Sequence, residues 1–115
     1  MATQVRPLSI QSNGSFALQA HPDNWVNSLA LAASTAEYVT VPTGARYVVF
    51  GATVDFFVKY NATVVGTGSA VPTDITNGSA NECNPTIRYL GDQVAEIGVI
   101  TNNSSGGIVT LSFFR

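Results

Sequence analysis

The sequence predicts an all-β fold: a single domain over residues 1–115, built as a jelly-roll-like β-sandwich of about seven or eight short strands. Three observations carry this. Runs rich in Val, Ile, Thr, Tyr and Phe recur along the chain, each bounded by Gly, Pro, Asn or Asp. Several of these runs alternate between apolar and polar residues, the period of a strand with one buried face. No stretch has the apolar spacing of a long amphipathic helix.

The first extended segment is residues 3–10, where Pro7 suggests an edge position because proline cannot donate to a ladder. Asn13-Gly14-Ser15 reads as a turn. Residues 16–27 are the least distinct, with a turn-like His21-Pro22-Asp23-Asn24 before Trp25. Leu29 to Ala33 contains good helix formers but is short, and a strand is the preferred reading. Residues 37–41 form a strand, Pro42-Thr43-Gly44 a turn, and residues 46–50 a strand apolar on both faces, hence central.

Residues 53–60 alternate. Val54, Phe56, Val58 and Tyr60 are expected to face the core, with Asp55, Phe57 and Lys59 on the other side. Residues 61–84 are a long turn-rich stretch in which 63–65 and 70–71 are brief extended pieces. Asn84-Pro85 opens a strand over 86–90, Gly91-Asp92 turns the chain into 94–100, and 102–107 is a loop before the last strand, 108–114. So apolar a final strand must be buried centrally or paired with a neighbouring subunit.

Composition narrows the function. Of the 115 residues, 45% are hydrophobic and only 10% charged, against about a quarter charged in ordinary soluble proteins. Such a surface resists association weakly, which fits one that another protein covers. A net charge of −2, with five Lys and Arg spread along the chain, speaks against a nucleic-acid partner. No run is long and apolar enough for a membrane-spanning helix. The opening MATQVRPLSI lacks a leader pattern, so the glycosylation sequons at Asn13, Asn61, Asn77, Asn102 and Asn103 read as a by-product of an Asn/Ser/Thr-rich surface. Cys83 is the single cysteine; it excludes an intramolecular disulfide and is expected to be a small buried or half-buried side chain.

Catalytic patterns are not found. His21 is the one histidine and reads as a solvated or interface residue, while Cys83 has no base near it in sequence. Clustered Cys and His for zinc are absent. Asp74 to Ser79 lacks the EF-hand spacing and reads as an Asx turn. Gly66-Thr67-Gly68 has no helix after it to make a phosphate loop. The chain is therefore expected to be no enzyme and to need no cofactor or metal. Two charged pairs stand out, Asp55 with Lys59 and Glu82 with Arg88, as surface ion pairs or as fixtures of orientation at a subunit interface.

From residue 37 onward the chain resembles a known class. Val39-Thr40-Val41-Pro42-Thr43-Gly44-Ala45-Arg46-Tyr47-Val48-Val49-Phe50, followed by Val54-Asp55-Phe56-Phe57-Val58-Lys59, is similar to small virion proteins of tailed bacteriophages. So are Pro72-Thr73-Asp74-Ile75-Thr76-Asn77-Gly78-Ser79-Ala80-Asn81-Glu82-Cys83-Asn84-Pro85-Thr86-Ile87-Arg88 and the closing Ile108-Val109-Thr110-Leu111-Ser112-Phe113-Phe114. Within that group the chain looks most like capsid cement (decoration) proteins. The resemblance implies a non-enzymatic protein made in the host cytoplasm and carried on the virion, bound to the outer surface of the major capsid protein shell. A small receptor- or carbohydrate-binding module of a tail or head fibre is the alternative, with Trp25, Tyr38, Tyr47, Tyr60 and Tyr89 as sources of a stacking platform.

A homo-oligomer is expected, a homodimer first and a trimer second. Candidate interface residues are Asp74, Asn77 and Glu82 in the turn-rich segment, Arg88 beyond it, and Ile108, Leu111 and Phe113 in the last strand.

Overall fold

Alternating apolar side chains need a second apolar layer, and the chain provides it by pairing strands distant in sequence into two sheets. The computed structural model describes residues 8–10, 18–20, 25–64 and 74–115. Ten strands are present there: β1 (Leu8–Ile10), β2 (Leu18–Ala20), β3 (Val26–Leu31), β4 (Glu37–Thr40), β5 (Tyr47–Ala52), β6 (Phe57–Tyr60), β7 (Glu82–Cys83), β8 (Ile87–Tyr89), β9 (Glu96–Ile100) and β10 (Gly107–Phe114). β1 and β2 form a hairpin of their own. The other eight make two four-stranded sheets, ordered β3-β10-β5-β8 and β4-β9-β6-β7. Every pairing is antiparallel, and the described residues contain no helix.

The two sheets face each other across one core. Val48, Phe50, Val109, Leu111 and Phe113 come from the first sheet, and Val39, Val58, Ile97 and Val99 from the second. This is an all-β, sandwich-like fold whose two sheets hold eight strands, within the expected seven or eight, with the β1-β2 pair in addition. β10 is central, hydrogen-bonded to β3 on one side and β5 on the other, so the chain itself covers the edges of its most apolar strand. β5 is also central, between β10 and β8. Residues 26–31 are a strand and not a helix.

Four readings are corrected. The expected strand over 53–60 begins only at Phe57. Before it, side chains take backbone groups that a ladder would have used: the Phe56 N–H donates to Asn84 Oδ1 at 2.9 Å, and Thr101 Oγ1 donates to the Asp55 carbonyl at 2.7 Å. Phe56 and Val58 are buried as expected, and Tyr60 packs against the core while Val54 is half-buried. Phe57, expected to face outward, is buried in a second cluster with Val64 and Ile100 on the far side of the second sheet. β7 was not foreseen within the turn-rich stretch. The fourth correction is Cys83, which is exposed and not buried.

The Asn13-Gly14-Ser15 turn, His21, Gly66-Thr67-Gly68 and the extended piece at 70–71 lie outside the described residues, as does most of the expected first strand before Leu8. No helix among the described residues is long and apolar enough to cross a membrane.

Candidate functional site

The two outer faces of the sandwich differ in kind. On the second sheet, Gly98 lies beneath Val64 and Tyr38; a Cβ added there would stand 2.7 Å from Val64 Cγ2 and 2.8 Å from Tyr38 Cε1. Tyr38 Oη accepts a hydrogen bond from the Val64 N–H at 3.3 Å. The segment after β6 thus folds back over Phe57 and Ile100, aided by Ala36. The same face carries charge, since Lys59 and Glu96 alternate outward with the buried Val58 and Ile97.

Among the described residues, the outward positions of the first sheet carry no charge, and one of them, Phe114 opposite Tyr47, is buried. Strand alternation sets Val26, Ser112, Val49 and Ile87 in one row across all four strands, with Thr110 opposite Ser28 and Gly51 in the next. Val26 and Ile108 are 47% and 46% exposed. At one end of the face Tyr47 is directly opposite Tyr89. Their ring centroids are 5.1 Å apart with planes tilted by 57°, and Tyr89 is 68% exposed. An uncharged, partly apolar sheet face of this kind is suited to contact with another surface.

At the border between β7 and β8 the sandwich is closed by polar groups. Glu82 is opposite the buried Val58 and Arg88 opposite the buried Val48, so both stand at inward positions of strands that end their sheets. Arg88 Nε and Nη2 donate to Glu82 Oε2 at 2.8 and 2.5 Å, and Tyr60 Oη donates to Glu82 Oε1 at 2.8 Å. Burial alone would raise the Glu82 pKa, but the donors from Arg88 and Tyr60 together hold the carboxyl below its ordinary range. Burial, then the Glu82 bond, push the Tyr60 hydroxyl well up, so it is a donor at any physiological pH. The Arg88 guanidinium is held more firmly charged by Glu82.

The expected interface residues therefore fall into separate places. Glu82 and Arg88 meet, as a clasp between the two sheets of one chain. Ile108 lies on the uncharged outer face. Leu111 and Phe113 are wholly buried in the core, which removes them from any surface of the folded chain. Asp74 and Asn77 are exposed in the loop before β7. There Asn77 Oδ1 accepts from the Ser79 N–H and Oγ, the Asx turn anticipated from sequence. Asp55 accepts from Asn84 Nδ2 at 3.0 Å, and Lys59 donates to the Ser79 carbonyl. The Tyr47–Tyr89 pair was not foreseen; both residues were visible as strand residues, but their opposition depends on β5 and β8 being neighbours.

An open depression of about 500 Å³ lies at one end of the sandwich, where Thr53, Asp55, Asn84, Thr86 and Asn103 line the loops between strands. Among the described residues its lining holds one carboxylate, Asp55, and no histidine or cysteine. Among the described residues no three His, Cys, Asp or Glu side chains gather as a metal site would need. Compared with protein-family models, curated proteins and solved structures, the chain matches none of them.

Proposed function

We propose that this chain is a non-enzymatic capsid cement (decoration) protein of a tailed bacteriophage, binding the outside of the major capsid protein shell and stabilising it. The observation that carries the reading is the uncharged, partly apolar outer face of the β3-β10-β5-β8 sheet, set on a rigid sandwich whose opposite face is covered by its own chain. The resemblance of residues 37–115 to small phage virion proteins supplies the partner, the major capsid protein, and the location, the capsid surface. Neither nucleic acid nor membrane takes part in this reading.

The strand pairing supports a jelly roll as the finer description of the fold. β3 pairs with β10, β4 with β9, β5 with β8 and β6 with β7. That is the pattern of four nested strand pairs rolled into two sheets.

A cement protein acts by mass action: whatever binds only the assembled shell stabilises it. Contacts too weak to hold singly become strong when repeated over a lattice. Particles lacking this protein are expected to assemble but to release their genome at a lower temperature, and adding the purified chain is expected to restore the complete particle's value. Equal release temperatures with and without the chain would remove the mechanism.

A second reading, a receptor- or carbohydrate-binding module of a fibre, is favoured by the Tyr47–Tyr89 pair. The exposed Tyr89 ring beside the half-buried Tyr47 offers an aromatic surface of the kind on which sugar rings stack.

A further inference from the structure

Four strands border the two sheets of the sandwich, and three of them are blunted. β4 has four residues and contains Glu37, β7 has two and contains Glu82, and β8 has three and contains Arg88. Short length and charge are the usual protections of a sheet edge. β3 has neither. Its six residues, Val-Asn-Ser-Leu-Ala-Leu, include no charge and no proline, and its register with β10 runs unbroken from Val26 to Leu31.

The direction of its backbone groups follows from the ladder. The Phe113 N–H donates to the Trp25 carbonyl at 2.9 Å, so Trp25, Asn27, Leu29 and Leu31 turn their peptide groups towards β10. On the other side of β10, the carbonyls of Ile108 and Phe114 accept from Thr53 and Arg46, as the same alternation requires. The N–H and C=O groups of Val26, Ser28 and Ala30 therefore point away from β10, to the border of the sheet. Among the described residues no strand pairs with that border.

We propose that β3 of a second copy completes it, antiparallel about a two-fold axis at Ser28, so that the β3-β10-β5-β8 sheets of two chains become one continuous sheet. An edge is complemented by an extended strand, whose main chain supplies the hydrogen bonds. In an antiparallel pair, opposed residues must share a face. An axis at Ser28 meets this with the same sequence on both sides: Val26 opposes Ala30, Ser28 opposes itself, and Asn27 opposes Leu29. Outward residues meet outward residues, and no charge meets a like charge.

Leu29, which packs against the main core, carries apolar contact beneath the junction. On the outward face, Val26 of each copy lies beside Ala30 of the other, in a row that continues to the other copy's Ile108. A two-fold contact also closes on itself and leaves no further edge of this type exposed. This contact replaces Leu111 and Phe113 as the basis of the expected homodimer. It stands independently of capsid binding, because it is a property of the chain in solution.

The test is the mass of the full-length chain, by sedimentation or light scattering, from about 1 µM to about 100 µM, the range expected for a contact of modest area. A dimer is expected. Ser28→Pro removes an N–H that points away from β10, so it blocks the border while sparing the internal ladder; a monomer with an unchanged circular dichroism spectrum is expected. Ala30→Lys puts a charge on the outward face at the junction and is expected to weaken dimerisation by about tenfold or more. A wild-type chain that stays monomeric throughout, a different closed number of copies, or a folded variant that dimerises as well as wild type would overturn the proposal. If Ser28→Pro does not fold, Ala30→Lys decides alone. The particle-stability experiment above can fail without touching this result, and the reverse also holds.

Discussion

Arg88 stands at an inward position opposite Val48, which is fully buried. A guanidinium there must find a counter-charge or leave the sandwich. It does the first by reaching from the last strand of one sheet to Glu82 on the last strand of the other, and the Tyr60 hydroxyl uses the remaining carboxylate oxygen. The pair is partly exposed, so its Coulombic part is worth about 0–1 kcal/mol, and the Tyr60 hydrogen bond adds about 1 kcal/mol. Glu82→Gln is expected to lower unfolding stability by about 1 kcal/mol at neutral pH. The folded-state pKa of Glu82 is depressed, so its contribution is full above the unfolded-state value of about 4.3 and is lost as pH falls through the folded value. Urea melts of the two proteins should therefore differ at pH 7 and converge on acidification below about pH 4. A difference that persists or widens in acid would assign the clasp to packing and not to charge.

Among the strands, those with strong alternation or continuous apolar runs were legible in the sequence. β4, β8 and β9 fall within the expected 37–41, 86–90 and 94–100, while β5 runs beyond the expected 46–50 to Ala52 and β10 begins one residue before the expected 108–114. The failures have local causes. Residues 53–56 alternate like a strand, but Asn84 and Thr101 are distant residues whose side chains capture the backbone of Asp55 and Phe56. β7 is two residues long and has no pattern of its own; it forms because Phe57 and Val58 stand opposite.

Asn84 serves both events. Its side chain accepts from Phe56 and donates to Asp55, its N–H donates to the Phe56 carbonyl, and its backbone is left-handed with φ of 49°. Asn84→Ala should cost about 1–3 kcal/mol, from an unsatisfied Phe56 N–H and a conformation that alanine resists. Asn84→Gly should fall between the two, because it restores the conformation but not the acceptor. Chemical denaturation of the three proteins checks that order; alanine equal to wild type would mean that solvent replaces the Asn84 bonds fully.

At the scale of the whole molecule, the described residues give one outer face that carries charge and is partly covered by the chain and one that carries no charge, and the difference accounts for the composition. Val64 and Ala36 cover the apolar patch of the second sheet. The first sheet spends its outward positions on Val, Ser, Ala, Thr, Gly, Ile, Tyr and Phe, which explains how so few charges suffice. That a surface of this kind existed could be inferred from composition. Its position could not, because it depends on which strands are neighbours, and strand order is set by contacts between segments far apart in sequence. The same limit placed Leu111 and Phe113 at a surface: their strand was recognised, with central burial and pairing to a neighbouring subunit as the two readings, and the interface residues followed the second while the structure shows the first.

Cryo-electron microscopy of the complete phage particle tests the account most directly. The prediction is density for this chain on the outside of the shell, with the outward face of the β3-β10-β5-β8 sheet against the major capsid protein. A shell without the chain, or the chain found at a fibre with Tyr47 and Tyr89 turned outward, would contradict it.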